Sequence, residues 1–208
     1  MNIAVIGAGG VGETLGKAWA RRGHSVTFGV RDPAAEKSRK LASSGIAVRT
    51  NRDAAASAQV IVLATPWQAT REAVRACGDL AGKIVIDCTN PLKADFTGLD
   101  VGLTTSGAEQ VASWASGARV FKAMNQIGSN LMDEPKVPGG QAVMFVAGGA
   151  DGKPEVMSLV GELGFDTIDA GDLAIARLLE PYAMLWIHLA LRRGFGRDIA
   201  FALLRERR

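Results

Sequence analysis

The 208-residue sequence predicts an α/β fold of the Rossmann type, a doubly wound and mainly parallel sheet with a short C-terminal helical extension. Three observations predict it. An apolar run, Ile3 to Ile6, enters Gly7-x-Gly9-x-x-Gly12 and then a helix-forming stretch from Glu13 to Arg22. Short apolar runs alternate with helical ones along the chain, the signature of right-handed strand–helix–strand crossovers. Val60 to Ala64 is apolar at every position, as in a central strand covered on both faces. No repeat or low-complexity linker intervenes. Residues 1–172 therefore read as a dinucleotide-binding domain, and 173–208 as a helical extension of that same domain.

Taken in order, Gly23-His24 stops the first helix and Ser25 to Phe28 alternates like a second strand. Asp32-Pro33 reads as an N-cap with proline at the first helical position, opening a helix that Gly45 closes. Ile46 to Val48 is a short strand, and an alanine-rich stretch, residues 54–58, leads into the strand at 60–64. A helix from about Gln68 to Leu80 precedes a buried strand, Ile84 to Ile86. Ser106-x-x-Glu109 is a capping box for a helix running to Trp114. Strands are expected at 120–123, 142–146 and 165–168, with a helix at 154–163. From Leu173 the chain is helical, with a kink or break expected at Pro181. Beyond Pro181, Tyr182 to Leu191 is apolar on every face, which requires burial all round. The sheet covers one side only, so a homodimer through this helix is expected, with Trp186 in the interface.

Composition bounds the rest. The chain is 48% apolar and 22% charged, ordinary for one soluble domain. Two cysteines, Cys77 and Cys88, cannot build a disulfide framework, so reduced thiols and a cytoplasmic setting are expected. The first residues read as a strand rather than a signal peptide, and the longest apolar stretch, 183–191, is shorter than the ~20 residues of a membrane span. Seven arginines follow Leu173 (Arg177, Arg192, Arg193, Arg197, Arg205, Arg207 and Arg208). Without interleaved aromatics they read as a solvated helix face with some contacts to an anionic cofactor, not as a nucleic-acid surface.

The glycines carry the chemistry. Gly7 permits the tight turn, Gly9 lets a pyrophosphate approach, and Gly12 lets helix pack on strand, while the helix N-terminus offers free N–H groups and its positive dipole end to the anion. An NAD site places an acidic residue where the second strand stops; here Arg31 stands there, followed by Lys37 and Arg39. A guanidinium beside the ribose suits a 2′-phosphate, which favours NADP(H) over NAD. The alternative gives Arg31 to solvent and Asp32 to the ribose.

A dehydrogenase that moves a proton with its hydride needs a placed acid or base. Neither histidine fits: His24 is expected in a turn on the far side of the sheet from the strand C-termini, and His188 inside the buried C-terminal helix. Lys122 and Tyr182 have structural roles at least as good, no metal-ligand spacing occurs, and the catalytic residue stays unassigned. Hydride passing between two bound cofactors asks the protein mainly for orientation. Thr65-Pro66-Trp67, Asn90-Pro91 and Asn125-Gln126, after successive strands, are expected beside the reacting rings.

These residues, together with Lys122-Ala-Met-Asn125, Val143 to Gly148, Asp169-Ala-Gly171 and Leu179-Glu-Pro181, fall in an order that resembles the NADP-dependent oxidoreductases of the deazaflavin coenzyme F-420, especially their bacterial members. The resemblance covers the whole chain. It implies hydride transfer between NADPH and the deazaflavin, and dimers formed through the C-terminal part. It also implies Gly9, Gly10 and Val11 at the pyrophosphate and Arg31 at the 2′-phosphate. Thr65, Pro66 and Trp67 would line the nicotinamide, and Asn125 would stand near the deazaflavin. Asn125 takes the place of a histidine in archaeal members, and the Lys-Ala-x-Asn stretch is similar to the flavin-using domain of certain membrane metalloreductases. FMN or FAD is therefore the alternative acceptor. Two further readings stay open. One is a reductase of a small imine or hydroxy acid, disfavoured because no lysine follows Leu173. The other is a non-catalytic NADPH-binding redox sensor.

Overall fold

The computed structural model describes residues 1–206, so Arg207 and Arg208 of the basic tail lie outside the described residues. Strand β1 (Asn2–Ile6) runs into helix α1 (Gly10–Arg21), followed by β2 (Ser25–Val30), α2 (Glu36–Ala42), β3 (Ala47–Thr50) and α3 (Asn51–Ala56). The second half of the Rossmann unit is β4 (Val60–Leu63), α4 (Trp67–Cys77), β5 (Ile84–Asp87), α5 (Gly107–Trp114) and β6 (Arg119–Lys122). A two-stranded hairpin, β7 (Lys136–Val137) and β8 (Gly140–Gln141), precedes β9 (Val143–Gly148), α6 (Lys153–Gly161), β10 (Asp166–Gly171) and α7 (Ala176–Arg192).

The eight strands of the main sheet lie in the order β10-β9-β6-β5-β4-β1-β2-β3. The run from β3 to β6 is parallel throughout; β9 joins β6 antiparallel, and β10 then pairs parallel with β9. The order reverses between β1 and β4, and the carboxyl ends of both strands open there into a crevice, the ligand-binding position of such sheets. The strands at the centre are buried on both faces: Ile3, Val5, Val60, Val62 and Ile86 pack against Leu15, Trp19 and Leu159 on one side. Ala4, Ile6, Ile61, Leu63 and Val85 pack against Ala55, Val74 and Val111 on the other. Both sets are nearly solvent-free.

Four expectations need correction. Asp32-Pro33 does not open a helix: the Asp32 carboxylate accepts from Ala34 N (2.8 Å) in a local turn, and α2 begins only at Glu36. The alanine-rich stretch is itself helical, because Thr50 accepts from Asp53 N and caps α3. Helix α7 runs unbroken through Pro181. Proline there removes a single bond, to the Arg177 carbonyl, and Glu180 beside it is anchored in the core. Finally, α7 is not covered all round: Ala176, Leu179, Glu180, Ala183, Trp186 and Ala190 face inward, while Leu178, Leu185 and Leu191 are exposed, as is His188. The stretch Leu173–Arg192 has the length and apolar composition to cross a membrane, yet Glu180 sits near its middle, wholly buried and paired with Lys122. After α7 the tail returns across the domain; Phe201 O accepts from Val143 N (2.9 Å) and Arg205 pairs with Asp166.

Candidate active site

The glycine turn is built as its sequence requires. Gly7 has φ +102° and its Cα faces the Ala64 carbonyl, which a Cβ would approach to 2.7 Å. Its N–H donates to Gly29 O (3.0 Å), so the turn also locks β2 to β1. Gly12 lies so close to the Gly7 carbonyl that any side chain would overlap it. Gly9, by contrast, has nothing within 4 Å of a would-be Cβ. The open side of the turn therefore faces a cavity, not protein, and Gly9 is the N-cap of α1 with no side chain satisfying the first amides. Free N–H groups at the positive end of a helix dipole, next to empty space, are an anion site. Gly10 stands beside Ser129 Oγ, which accepts from Arg197 of the tail (2.9 Å).

A cavity of about 660 Å³ spreads from this turn toward β2, lined by Gly7, Gly9, Arg31 and Lys37 and floored by Ala64, Thr65 and Pro66. A narrower one of about 220 Å³ continues it between β2, α3 and α4, where Arg31 is joined by Asn51, Arg52 and Ala73. Among the described residues, neither Arg31 nor Lys37 makes an ion pair. Two uncompensated cations at the end of β2 and the start of α2, with no acid at the strand end, fit a phosphate on the adenosine ribose. Asp32 is engaged with its own turn.

On the other side of Thr65-Pro66 a third cavity, of about 390 Å³, is lined by Val11, Trp67, Asn90, Leu92 and Phe96. Thr65 thus borders all three cavities and Pro66 two of them, and Trp67 and Asn90 line the third. A strap at residues 91–100 roofs this end, closed by the Leu92–Leu99 bridge and by Gln68 donating to Leu92 O (3.0 Å). Asn125 lines none of the three cavities. It is buried behind Asn90, donating to Asn90 Oδ1 (3.0 Å) and Leu179 O (3.2 Å), while Asn90 donates back to Asn125 O (2.9 Å). Its amide is spent on holding Asn90 and α7, so it supports the wall of the cavity instead of forming it.

Beneath this wall lies a charge cluster that no spacing in the sequence reveals. Lys122, Asp87 and Glu180 are wholly buried; the ammonium donates to Asp87 (2.8 Å), Glu180 (2.9 Å) and the Thr89 carbonyl (2.6 Å). Glu180 also accepts from Gly107 N and Ala108 N, the first amides of α5, and Asp87 from Thr89 N and Oγ1. Every partner of these buried charges is thus supplied. Burial alone would lower the Lys122 pKa, but the two carboxylates outweigh it and hold the ammonium above the ordinary lysine range. A lysine so held cannot act as a base.

The remaining acid–base candidates are equally placed. Tyr182 packs between Phe145 and Phe201, and burial pushes its phenol up to about 12. His24 bridges the N-terminus and Glu162 (2.7 Å) at the amino ends of the strands, opposite the cleft. Burial, with the Asp87 charge, drives the Cys88 thiol well above its usual range, so no thiolate forms at the cavity. Apart from Cys88 and the exposed Lys93, the third cavity has no ionisable side chain in its lining.

Comparison with known proteins shows the family of the chain. The family model described as "NADP oxidoreductase coenzyme F420-dependent" matches residues 2–91, the glycine turn through Pro91. The F420-dependent NADP reductase of Methanothermobacter thermautotrophicus is 32% identical over 92% of this chain and 90% of its own. The metalloreductase STEAP3 of Rattus norvegicus is 27% identical over 86% of this chain but only 35% of its own length. The crystal structure of a proposed F420-dependent NADP-reductase from Arthrobacter sp. FB24 superimposes with a TM-score of 0.90 at 35% identity, covering 99% of this chain and all of that one. An imine reductase from Aspergillus terreus, solved with NADPH4, shares the fold at 24% identity (TM-score 0.70), this chain covering 63% of it.

Proposed function

The chain belongs to the family of F420-dependent NADP reductases and is an NADP-dependent oxidoreductase, and from that premise we propose that it passes hydride between NADPH and the deazaflavin coenzyme F-420. The observation that supports this acceptor is the third cavity itself: an apolar, roofed chamber at the nicotinamide end whose lining offers no acid or base beyond a rim lysine and a silenced thiol. Reduction of a carbonyl or imine calls for a proton delivered to the substrate. Transfer between two rings asks only that they be held face to face and kept from water. When both are bound, the dihydronicotinamide and the deazaflavin supply the redox chemistry themselves.

The residues of the chain then act as holders. The amides at Gly9 to Val11 receive the pyrophosphate, and Arg31 and Lys37 the 2′-phosphate. Thr65, Pro66 and Trp67 support the nicotinamide, and Asn90, steadied by Asn125, fixes the acceptor side. Val11, Leu92 and Phe96 exclude water. The same reading makes the protein a soluble cytoplasmic homodimer, with a second copy covering the exposed leucines of α7.

Anaerobic NADPH oxidation, run in parallel with F-420, FMN and FAD, tests the proposal. Turnover with F-420 at least tenfold above either flavin is expected. Turnover only with FMN or FAD overturns the deazaflavin assignment; tight NADPH binding without turnover of any acceptor makes the protein a sensor.

A further inference from the structure

Among the described residues one buried side-chain polar atom has no hydrogen-bond partner, Oδ1 of Asn51. Asn51 is the first residue of α3 and lines the narrow cavity of about 220 Å³ beyond Arg31. Its Oδ1 lies 3.2 Å from where a Cβ on Gly29 would stand, so the absence of a side chain at Gly29 makes room for the carboxamide. Polar groups buried without a partner are rare in folded proteins, and one in a cavity wall points to a ligand that completes it. Of the rest of the lining, the Glu72 carboxylate can accept but not donate, so it cannot form both halves of a bidentate pair with a base edge. Thr50 Oγ1 is committed to Asp53, and Thr65 Oγ1 to Thr70. Arg31 and Arg52 are cations suited to phosphate or to stacking, and Ala69, Ala73 and Ala76 give a flat apolar floor.

We infer that Asn51, its carboxamide turned from Gly29 toward the cavity, recognises the adenine of the dinucleotide, accepting from the exocyclic N6 amine and donating to the adjacent ring nitrogen. Asparagine pairs with adenine in this bidentate manner wherever the two meet edge to edge. Hypoxanthine carries an oxygen in place of the amine, so it presents an acceptor to an acceptor and loses the pair. The inference rests on the reading of the cleft as the NADPH site and goes beyond it by making the protein selective for the base, independently of the 2′-phosphate.

The test titrates the purified protein with NADPH and with its hypoxanthine analogue, following protein tryptophan fluorescence. The unmodified protein is expected to bind NADPH roughly tenfold or more tightly than the analogue, the size of one good bidentate pair. In Asn51→Leu this ratio should fall to about one, at the expense of NADPH and not of the analogue. Its thermal midpoint without ligand should not fall, because the change removes an unpaired buried carbonyl. Asn51→Asp, which can accept but not donate, should retain part of the ratio and guards against misfolding of the leucine variant. Equal affinity for the two bases in the unmodified protein, or an unchanged ratio in Asn51→Leu, overturns the role of Asn51 alone. Failure of the unmodified protein to bind NADPH at all overturns the cofactor reading and this inference with it.

Discussion

Arg31 and the three glycines show how single residues divide the work of the cleft. Arg31 has no acidic partner among the described residues and borders both the wide and the narrow part of the adenosine cavity. A hydrogen bond to a charged group contributes about 1.5–3 kcal/mol, roughly ten- to a hundredfold in affinity. Arg31→Ala should therefore raise the Kd for NADPH by that factor and leave the Kd for NADH nearly unchanged; equal losses would place the 2′-phosphate elsewhere. The glycines separate fold from binding. Gly12→Ala drives a methyl into the Gly7 carbonyl and should lower both Tm and NADPH affinity. At Gly9 a Cβ meets no protein atom, so Gly9→Ala should keep its Tm while NADPH binding weakens at least about tenfold, by crowding the anion site. A parallel fall of Tm in both variants would show that Gly9 serves the fold and not the ligand.

Helices α5 and α7 are coupled to the ends of β5 and β6 by charge. Lys122→Met would leave Asp87 and Glu180 buried without a counter-ion. Urea denaturation should show a loss of about 3–5 kcal/mol, the range for breaking one partner from a buried pair. A loss below about 1 kcal/mol would mean that the cluster is not what holds α7 to the sheet. The second clamp is Glu109 with Arg177, hydrogen-bonded at 2.9 and 2.6 Å. The Arg177 hydrogen bond holds the Glu109 carboxyl below the ordinary glutamate range. A carboxylate with a lowered folded pKa contributes stability above its unfolded value, about 4.3, and loses it as pH falls through the folded value. The fall of Tm below about pH 4.3 should be shallower in Glu109→Gln, the effect being small because Arg177 is well exposed. An acid limb identical to the unmodified protein would remove this clamp from the account.

The molecule as a whole presents one conspicuous unfinished surface. Leu178 is 66% and Leu185 49% exposed on the outer side of α7, and Leu103 is 84% exposed on a neighbouring loop that forms an apolar hollow with Pro181 and Met184. An apolar patch of this kind marks an interaction site more often than a solvated face. We propose that a second copy covers it. Trp186 is the wrong residue to test this, because it turns inward and donates to Ile199 O at 2.8 Å. Leu185→Glu leaves the core intact and should halve the mass measured in solution with little change in monomer fold by circular dichroism. An unchanged mass would remove α7 from the interface.

Much of this protein is legible in its sequence because the signals are local. The glycine turn, the fully apolar central strands, the Ser106 capping box and the unguarded Arg31 follow from spacing and from the rules for a strand meeting a helix. Boundaries moved wherever a turn competed with a cap, as at Asp32, or where a helix as short as α3 left too little periodicity to read. Contacts between residues far apart in the chain are of another kind. That Lys122 is a buried structural ion, that Asn125 stands behind Asn90, and that Asn51 waits unpaired beside Gly29 depend on which elements the sheet order brings together. A buried charge or amide is defined by its partners, and its partners are set by tertiary packing. The sequence alone determined the fold class and the dinucleotide turn, since backbone geometry and burial periodicity are written locally. Only the tertiary structure decided which polar residues are spent on the fold and which remain free for a ligand.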